Sequence, residues 1–325
     1  MAEHSRTVLL AGATGYIGRA VAAELVRRGY RVVALVRGNP DRNGTPELPG
    51  CEIRVARVTD PAELEAALSG LRADAIVSCI ASRNGEPDDA WRVDYRANRH
   101  LLSAAETLGA SKFVLLSAIC VQKPLLAFQH AKLAFEKELR ESGLDYSIVR
   151  PTAFFKSLSG QIERVRRGKA FIVFGKGTET ARKPIGERDL ANFIADCLEQ
   201  ARFSNRVLPI GGPGDAVTPR EQGALLFELT GMPPKYRSVP VGMFDAAIAV
   251  LAPFAGLSPK LKAKAELARI GRYYATESML AWDAENGRYD AAATPATGTE
   301  SLRDHYARML REGTAGQELG DHKLF

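Results

Sequence analysis

Residues 9–30 read LLAGATGYIGRAVAAELVRRGY, an apolar run that turns through three glycines into a helical pattern. Gly12, Gly15 and Gly18 form Gly-x-x-Gly-x-x-Gly at that junction. In a strand–turn–helix unit each has its own task. Gly12 permits the tight turn, Gly15 lets the backbone approach a pyrophosphate, and Gly18 lets helix and strand pack closely. The unpaired N–H groups and positive end of the helix then face the phosphates. The stretch predicts a dinucleotide site built from Gly12, Thr14, Gly15, Tyr16, Ile17 and Gly18; the competing reading is a purely structural turn.

Outward from this unit, β-branched runs alternate with longer helical patterns. The runs are TVLLA (7–11), RVVALV (31–36), IRVAR (53–57), AIVSCI (75–80), FVLLS (113–117) and YSIV (146–149). Near-continuous apolar strands separated by helices imply a parallel sheet covered on both faces, with right-handed crossovers. The predicted class is α/β: a doubly wound, Rossmann-type parallel sheet with a smaller, mostly helical C-terminal lobe. After Pro151 the pattern loosens. AFIVFGKGTET reads as strand and turn, ERDLANFIADCLEQ as a helix and NRVLPIGGPG as a further strand. The expected division is a nucleotide domain from 1–155 plus 184–212, and a substrate lobe from 156–183 plus 213–325.

Apolar residues at 46% and charged residues at 25% of 325 are ordinary for a globular chain. The net charge of +6 either favours an anionic ligand or is a solvated surface excess, and no nucleic-acid partner is expected. Cys51, Cys79, Cys120 and Cys197 contain no Cys-x-x-Cys pair, which argues against a metal cluster, a zinc site or a disulfide framework. A strand-like run starts at Thr7 without a preceding apolar signal segment or plastid-type leader, so the expectation is a bacterial or trimmed chain in the cytoplasm. AAIAVLAPFAGL (246–257) is too short to cross a bilayer. It is a buried helix, a pocket wall or a shallow membrane contact.

The second strand ends in ALVRGNP, with Arg37 where NAD-specific sites carry an acid, and no acid before Asp41. A guanidinium suits a 2′-phosphate, so NADP(H) is the expected cofactor. Asp60 could accept the adenine amino group, cap a helix starting at Pro61, or do both.

In PLLAFQHAKLAFE (124–136), Pro124 suits the first turn of a helix. Leu125, Phe128, Lys132, Phe135 and Leu139 then share one face. A lysine on an apolar face must snorkel to water or meet a partner. The glycine triplet, Ser117 closing the fifth strand and Lys132 on this helix together resemble the short-chain dehydrogenase/reductase superfamily in its extended and atypical branches. The resemblance implies Tyr-x-x-x-Lys, yet FQHAK places Phe128 where the tyrosine stands. Ketone reduction leaves an alkoxide that needs an acid. Reduction of an alkene conjugated to a large π-system does not, because the charge can spread. The departure therefore favours activated alkene reduction, or no catalysis.

RPTAFFKSLSGQIERVRRGKAFIVFGKG (150–177) and RYYATESMLAWDAENGRYDAAATPATGTESL (272–302) narrow the likeness, which extends to the AGQELGDH tail. They resemble the NADPH-dependent, metal-cluster-free family of divinyl chlorophyllide 8-vinyl reductases. That implies reduction of the 8-vinyl group of divinyl chlorophyllide a or divinyl protochlorophyllide a to ethyl, in chlorophyll or bacteriochlorophyll synthesis, without flavin or iron. It also implies that Lys132 holds the nicotinamide ribose, and that Ser117 with Pro151, Thr152, Ala153 and Phe154 lines the nicotinamide pocket. Phe128, Phe154, Phe155, Met243 and Phe244 are candidates for the tetrapyrrole slot or are lobe core. Arg164, Arg166, Arg167 and Lys169 meet a propionate or form a solvated face. His100 and His130 could approach a pigment magnesium, and Tyr273 and Tyr274 either face substrate, donate a proton or pack. The competing functions are a nonenzymatic NADP-sensing regulator and a plant-phenolic-type reductase.

Overall fold

The computed structural model describes residues 5–38, 47–83 and 85–313. Asp41 and the AGQELGDH tail lie outside the described residues. The first unit runs β1 (Thr7–Ala11), α1 (Tyr16–Arg27), β2 (Arg31–Val36), β3 (Cys51–Val55), α2 (Pro61–Leu68) and β4 (Ala75–Ser78). Next come α3 (Pro87–Ala90), a π-helical stretch at Trp91–Ala97, α4 (Asn98–Leu108), β5 (Lys112–Leu116), α5 (Ala127–Glu141) and β6 (Asp145–Pro151). The chain continues through α6 (Phe155–Leu158), α7 (Ile162–Arg166), β7 (Phe171–Phe174), α8 (Glu187–Glu199), β8 (Arg206–Ile210), α9 (Pro219–Thr230) and β9 (Tyr236–Val239). It closes with α10 (Gly242–Leu251), α11 (Pro259–Thr276), β10 (Ala281–Asp283), β11 (Arg288–Asp290) and α12 (Leu302–Glu312).

Seven strands form one parallel sheet in the order β3-β2-β1-β4-β5-β6-β8. Alternation along β1 explains its burial on both faces. Val8 and Leu10 join α1 and α8 in one apolar core, while Leu9 and Ala11 join α2, α4 and α5 in the other. Strand order reverses direction between β1 and β4, and the crevice beyond their carboxyl ends is where doubly wound sheets bind ligands.

A third core joins Phe155, Leu158, Ile162 and Val165 to β7, α9 and α12. Here β7 pairs with β9 in a small parallel sheet, and β10 with β11 in an antiparallel one. The strand β7 falls where AFIVFGKGTET reads as strand and turn, whereas β9, β10 and β11 interrupt a lobe expected to be mostly helical.

Several expected boundaries move by up to three residues, with the fourth strand ending at Ser78 rather than Ile80 and the sixth running Asp145–Pro151 rather than 146–149. The third strand runs from Cys51 to Val55 rather than 53–57. The lysine-bearing helix starts at Ala127, not in the turn at Pro124. The Gln129 side-chain oxygen accepts the backbone N–H groups of Leu125 and Leu126, which holds those residues outside the helix. Leu125 consequently leaves the apolar face and is 61% exposed.

The glycine loop separates fold from binding. Gly12 has φ +82°, and a Cβ on Gly18 would lie 2.0 Å from the Gly12 carbonyl oxygen. A Cβ on Gly15 meets only that oxygen, at 3.3 Å. Gly18→Ala is expected to destabilise the protein by about 1–3 kcal/mol, the range for overpacking, measured by urea denaturation. Gly15→Ala should keep its stability and lose dinucleotide affinity, measured by NADPH fluorescence titration.

Candidate active site

The loop between β1 and α1 is shaped to receive an anion. Gly15 is the N-cap of α1 in extended conformation, no side chain caps the helix, and its first turn carries no acid. The orphan N–H groups and the helix dipole are thus left for a negatively charged group. Gly15 is exposed and Thr14 half-buried. The Ile17 side chain is buried in the core beside α8, so only its backbone faces the loop. Tyr16 donates its hydroxyl to Glu187 at 2.5 Å, with its ring beside Phe154. Burial and that carboxylate raise the Tyr16 pKa, so the phenol is committed as a strut between α1 and α8.

Arg37 follows β2 on the same side of the sheet and is exposed. Asp60 caps α2: one carboxylate oxygen accepts from Ala62 N at 3.1 Å and Glu63 N at 3.2 Å. Its helix-capping role is therefore met directly, and its second oxygen lies 3.5 Å from Arg57.

Lys132 is 9% exposed and its ammonium pairs with Asp94 Oδ1 at 2.8 Å. The Asp94 side chain is wholly buried and comes from the π-helical stretch, where the widened turn carries it inward. Asn98 secures this turn by donating to the Asp94 carbonyl at 2.9 Å and accepting Ser78 Oγ at 2.6 Å. Asp94 did not emerge from the sequence. The signal was present, since VDYRAN places one acid between apolar positions, as FQHAK places one base.

Ser117 points elsewhere. Its hydroxyl donates to Glu136 Oε1 at 2.5 Å, and Glu136 also binds the Arg150 guanidinium. This buried triad ties the end of β5 to α5 and β6. The Pro151–Phe154 segment is pinned from outside: Thr152 N donates to Ile210 O at 3.0 Å, and Ile185 N to Ala153 O at 2.9 Å. The Thr152 hydroxyl donates to the Lys183 carbonyl.

The C-terminal block completes the site. Ile270, Tyr273 and Met279 pack with Ile119, Cys120 and Leu126, and Phe128, Ala118, Ala153 and Tyr274 flank them. Tyr273 is 3% exposed and donates its hydroxyl to the carbonyls of Cys120, at 2.9 Å, and Lys123, at 3.2 Å. It is a clasp rather than a substrate contact. Gln129 donates to the same Cys120 carbonyl at 3.0 Å.

The remaining candidate contacts take the following positions. Phe155 is fully buried in the lobe core against His305, so it cannot line a slot. His100 Nδ1 bonds the Val58 carbonyl at 2.9 Å, which ties the ring to the loop before α2 through that nitrogen. Arg164 closes its own turn on the Ala170 carbonyl at 2.6 Å, and Arg166 pairs with Glu163. Met243 is exposed, and Phe244 stacks on Phe174 and over Gly271. His130 is exposed on α5.

The sheet and its open glycine loop define an NAD(P)H-binding protein, and the NAD(P)H-binding family model matches residues 12–201. The fold is shared with the NADPH-dependent quinone oxidoreductase of Escherichia coli solved with NADPH, at TM-score 0.68, 20% identity, 93% of this chain and 99% of that one. A divinyl chlorophyllide a 8-vinyl-reductase from Zea mays is 52% identical over 98% of this chain and 83% of its own. One from Arabidopsis thaliana is 49% identical over 97% and 79%. The chain belongs to the divinyl chlorophyllide a 8-vinyl-reductase family.

The Lys132–Asp94 pair yields a stability test. Removing one member of a buried pair strands the other, at a cost of about 3–5 kcal/mol. Asp94→Ala and Lys132→Met should each lose that much in urea denaturation, and the double variant should recover most of it. Neutral single variants would show that water or another group already solvates the pair.

Proposed function

We propose that the protein uses NADPH to reduce the 8-vinyl group of divinyl chlorophyllide a, or of divinyl protochlorophyllide a, to ethyl, within chlorophyll or bacteriochlorophyll synthesis. One observation carries this reading: the identity with plant 8-vinyl reductases covers 98% of the chain and so includes the α11 block beyond the nucleotide fold. Bound NADPH would supply the hydride. The glycine loop and α1 hold its pyrophosphate, and Arg37 offers the 2′-phosphate a planar pair of donors. Lys132 gives one N–H to Asp94 and keeps two for the ribose hydroxyls. Phe154 and its neighbours wall the nicotinamide side, with Ser117 holding β5 in place behind them.

Phe128 decides the chemistry. A reduced carbonyl would leave an alkoxide beside a ring that has no proton to give. A reduced vinyl group on a tetrapyrrole passes its charge into the macrocycle, so the missing hydroxyl is tolerated at this position. Phe128 then serves as apolar wall for a flat pigment.

The pigment also bears on where the protein works. The plant relatives are named as chloroplastic, and no helix among the described residues is long and apolar enough to cross a membrane. Yet α10 buries no residue, and Met243, Val250, Phe254 and Leu257 are 52–79% exposed. Lys260 and Lys264, both exposed, follow directly. Apolar side chains beside lysines suit the surface of an anionic bilayer, which in a bacterium would be the cytoplasmic leaflet.

In an anaerobic assay, mass spectrometry should show the pigment gaining two hydrogens with NADPH, far more slowly with NADH, and Arg37→Ala should narrow that gap. Phe128→Tyr should change kcat less than about tenfold, while Lys132→Met should lose on the order of 10²-fold or more. Separately, the protein should sediment with anionic vesicles and not with zwitterionic ones, and Val250→Asp with Phe254→Asp should abolish this. Concentration-dependent dimerisation without vesicle binding would assign the patch to a second copy instead.

A further inference from the structure

Adding hydride to one vinyl carbon satisfies half of the reduction; the other carbon needs a proton. Among the described residues around Phe128, most acidic hydrogens are already committed. The Ser117 hydroxyl goes to Glu136, the Tyr273 hydroxyl to two carbonyls, and the Lys132 ammonium to Asp94 and, on the proposed reading, to the cofactor ribose. Tyr274 differs. Its hydroxyl meets the Cys120 thiol, a weak acceptor. The Tyr274 ring keeps some exposure, while its hydroxyl end is deeply buried beside Cys120.

Its placement follows from helix geometry. Ile270 and Phe128 meet over Gly85, where a Cβ would lie 2.8 Å from Ile270 Cδ1 and 3.4 Å from Phe128 Cδ1. Tyr274 is four residues after Ile270 on α11 and so shares that face. It flanks the same apolar cluster as Phe128, and its ring stands edge-on to Tyr273 at 5.7 Å.

We infer that Tyr274, delivered by α11 to the neighbourhood of Phe128, is the proton donor of the vinyl reduction. This rests on the vinyl-reductase reading. The vinyl π bond breaks; one carbon receives hydride and its electron pair from the dihydronicotinamide, which is oxidised. The other carbon takes the Tyr274 hydroxyl proton, and the phenolate left behind is reprotonated by water. The net change is two hydrogens gained by the pigment, with one proton drawn from solvent. Burial raises the Tyr274 pKa well above that of an ordinary phenol, which keeps the proton in place until the pigment takes it.

Tyr274→Phe removes one oxygen whose hydrogen-bond partner among the described residues is a thiol, so its melting temperature and its NADPH and pigment dissociation constants, read by fluorescence, should match wild type. Its single-turnover rate should fall on the order of 10²-fold or more. Tyr273→Phe should do the reverse, lowering the melting temperature while keeping the single-turnover rate. A Tyr274→Phe enzyme with unchanged rate would overturn this assignment alone. Wild-type protein that binds NADPH and pigment but leaves the vinyl group intact would overturn the parent reading, and the assignment with it.

Discussion

A buried ion pair, Lys132 with Asp94, organises the side of this molecule on which the proposed site depends. Lys132 lies on the inner face of α5, and Asp94 meets it from a π-helical turn that precedes α4. Burying two charges carries a desolvation cost that their attraction only partly offsets. A leucine and a methionine would pack there as well. The pair makes physical sense if the lysine must hold its charge and orientation for a ligand that arrives later. Asp94 engages one N–H and leaves two for a further partner. The widened turn, Asn98 and Ser78 then keep Asp94 in place.

On the proposed reading, the site around this pair separates holding from proton transfer. The glycine loop, Arg37 and Lys132 are suited to hold a dinucleotide. The position one turn before Lys132 is a phenylalanine, so it offers shape alone. Hydroxyl groups come instead from α11, far along the chain. Tyr273 clasps the backbone of Cys120 and Lys123, and Tyr274 lies free of such a clasp. Chemistry that needs its acid at a carbonyl oxygen is poorly served by this layout. An alkene whose charge can spread through a macrocycle is well served.

The sheet was legible because its inner strands β1, β2, β4 and β5 are buried on both faces and read as apolar runs, whereas the edge strand β3 is only partly buried. Gly12 and Gly18 were legible because close approach leaves no alternative residue there, as the 2.0 Å from a Gly18 Cβ to the Gly12 carbonyl demonstrates. Lys132 stood out as a charge on an apolar face. Its partner did not, because Asp94 sits in a π-helical stretch whose period differs from the α-helical pattern against which faces are read. Phe155 looked like a pocket residue, yet the adjacent Phe154 faces Tyr16 while Phe155 turns into the lobe core. The start of α5 moved because a glutamine side chain three residues in outcompeted the proline signal. The run at 246–257 could be core, wall or membrane contact on hydropathy alone, and only its three-dimensional exposure separates these.

The central claim is that delocalisation in the substrate compensates for a phenylalanine in place of the usual tyrosine. Its most direct test is substrate competition on the wild-type enzyme, with NADPH oxidation followed for a divinyl tetrapyrrole against a panel of small ketones and aldehydes. The account predicts stoichiometric oxidation with the pigment and none above background with the carbonyls. Rapid carbonyl turnover alongside an untouched vinyl group would contradict it.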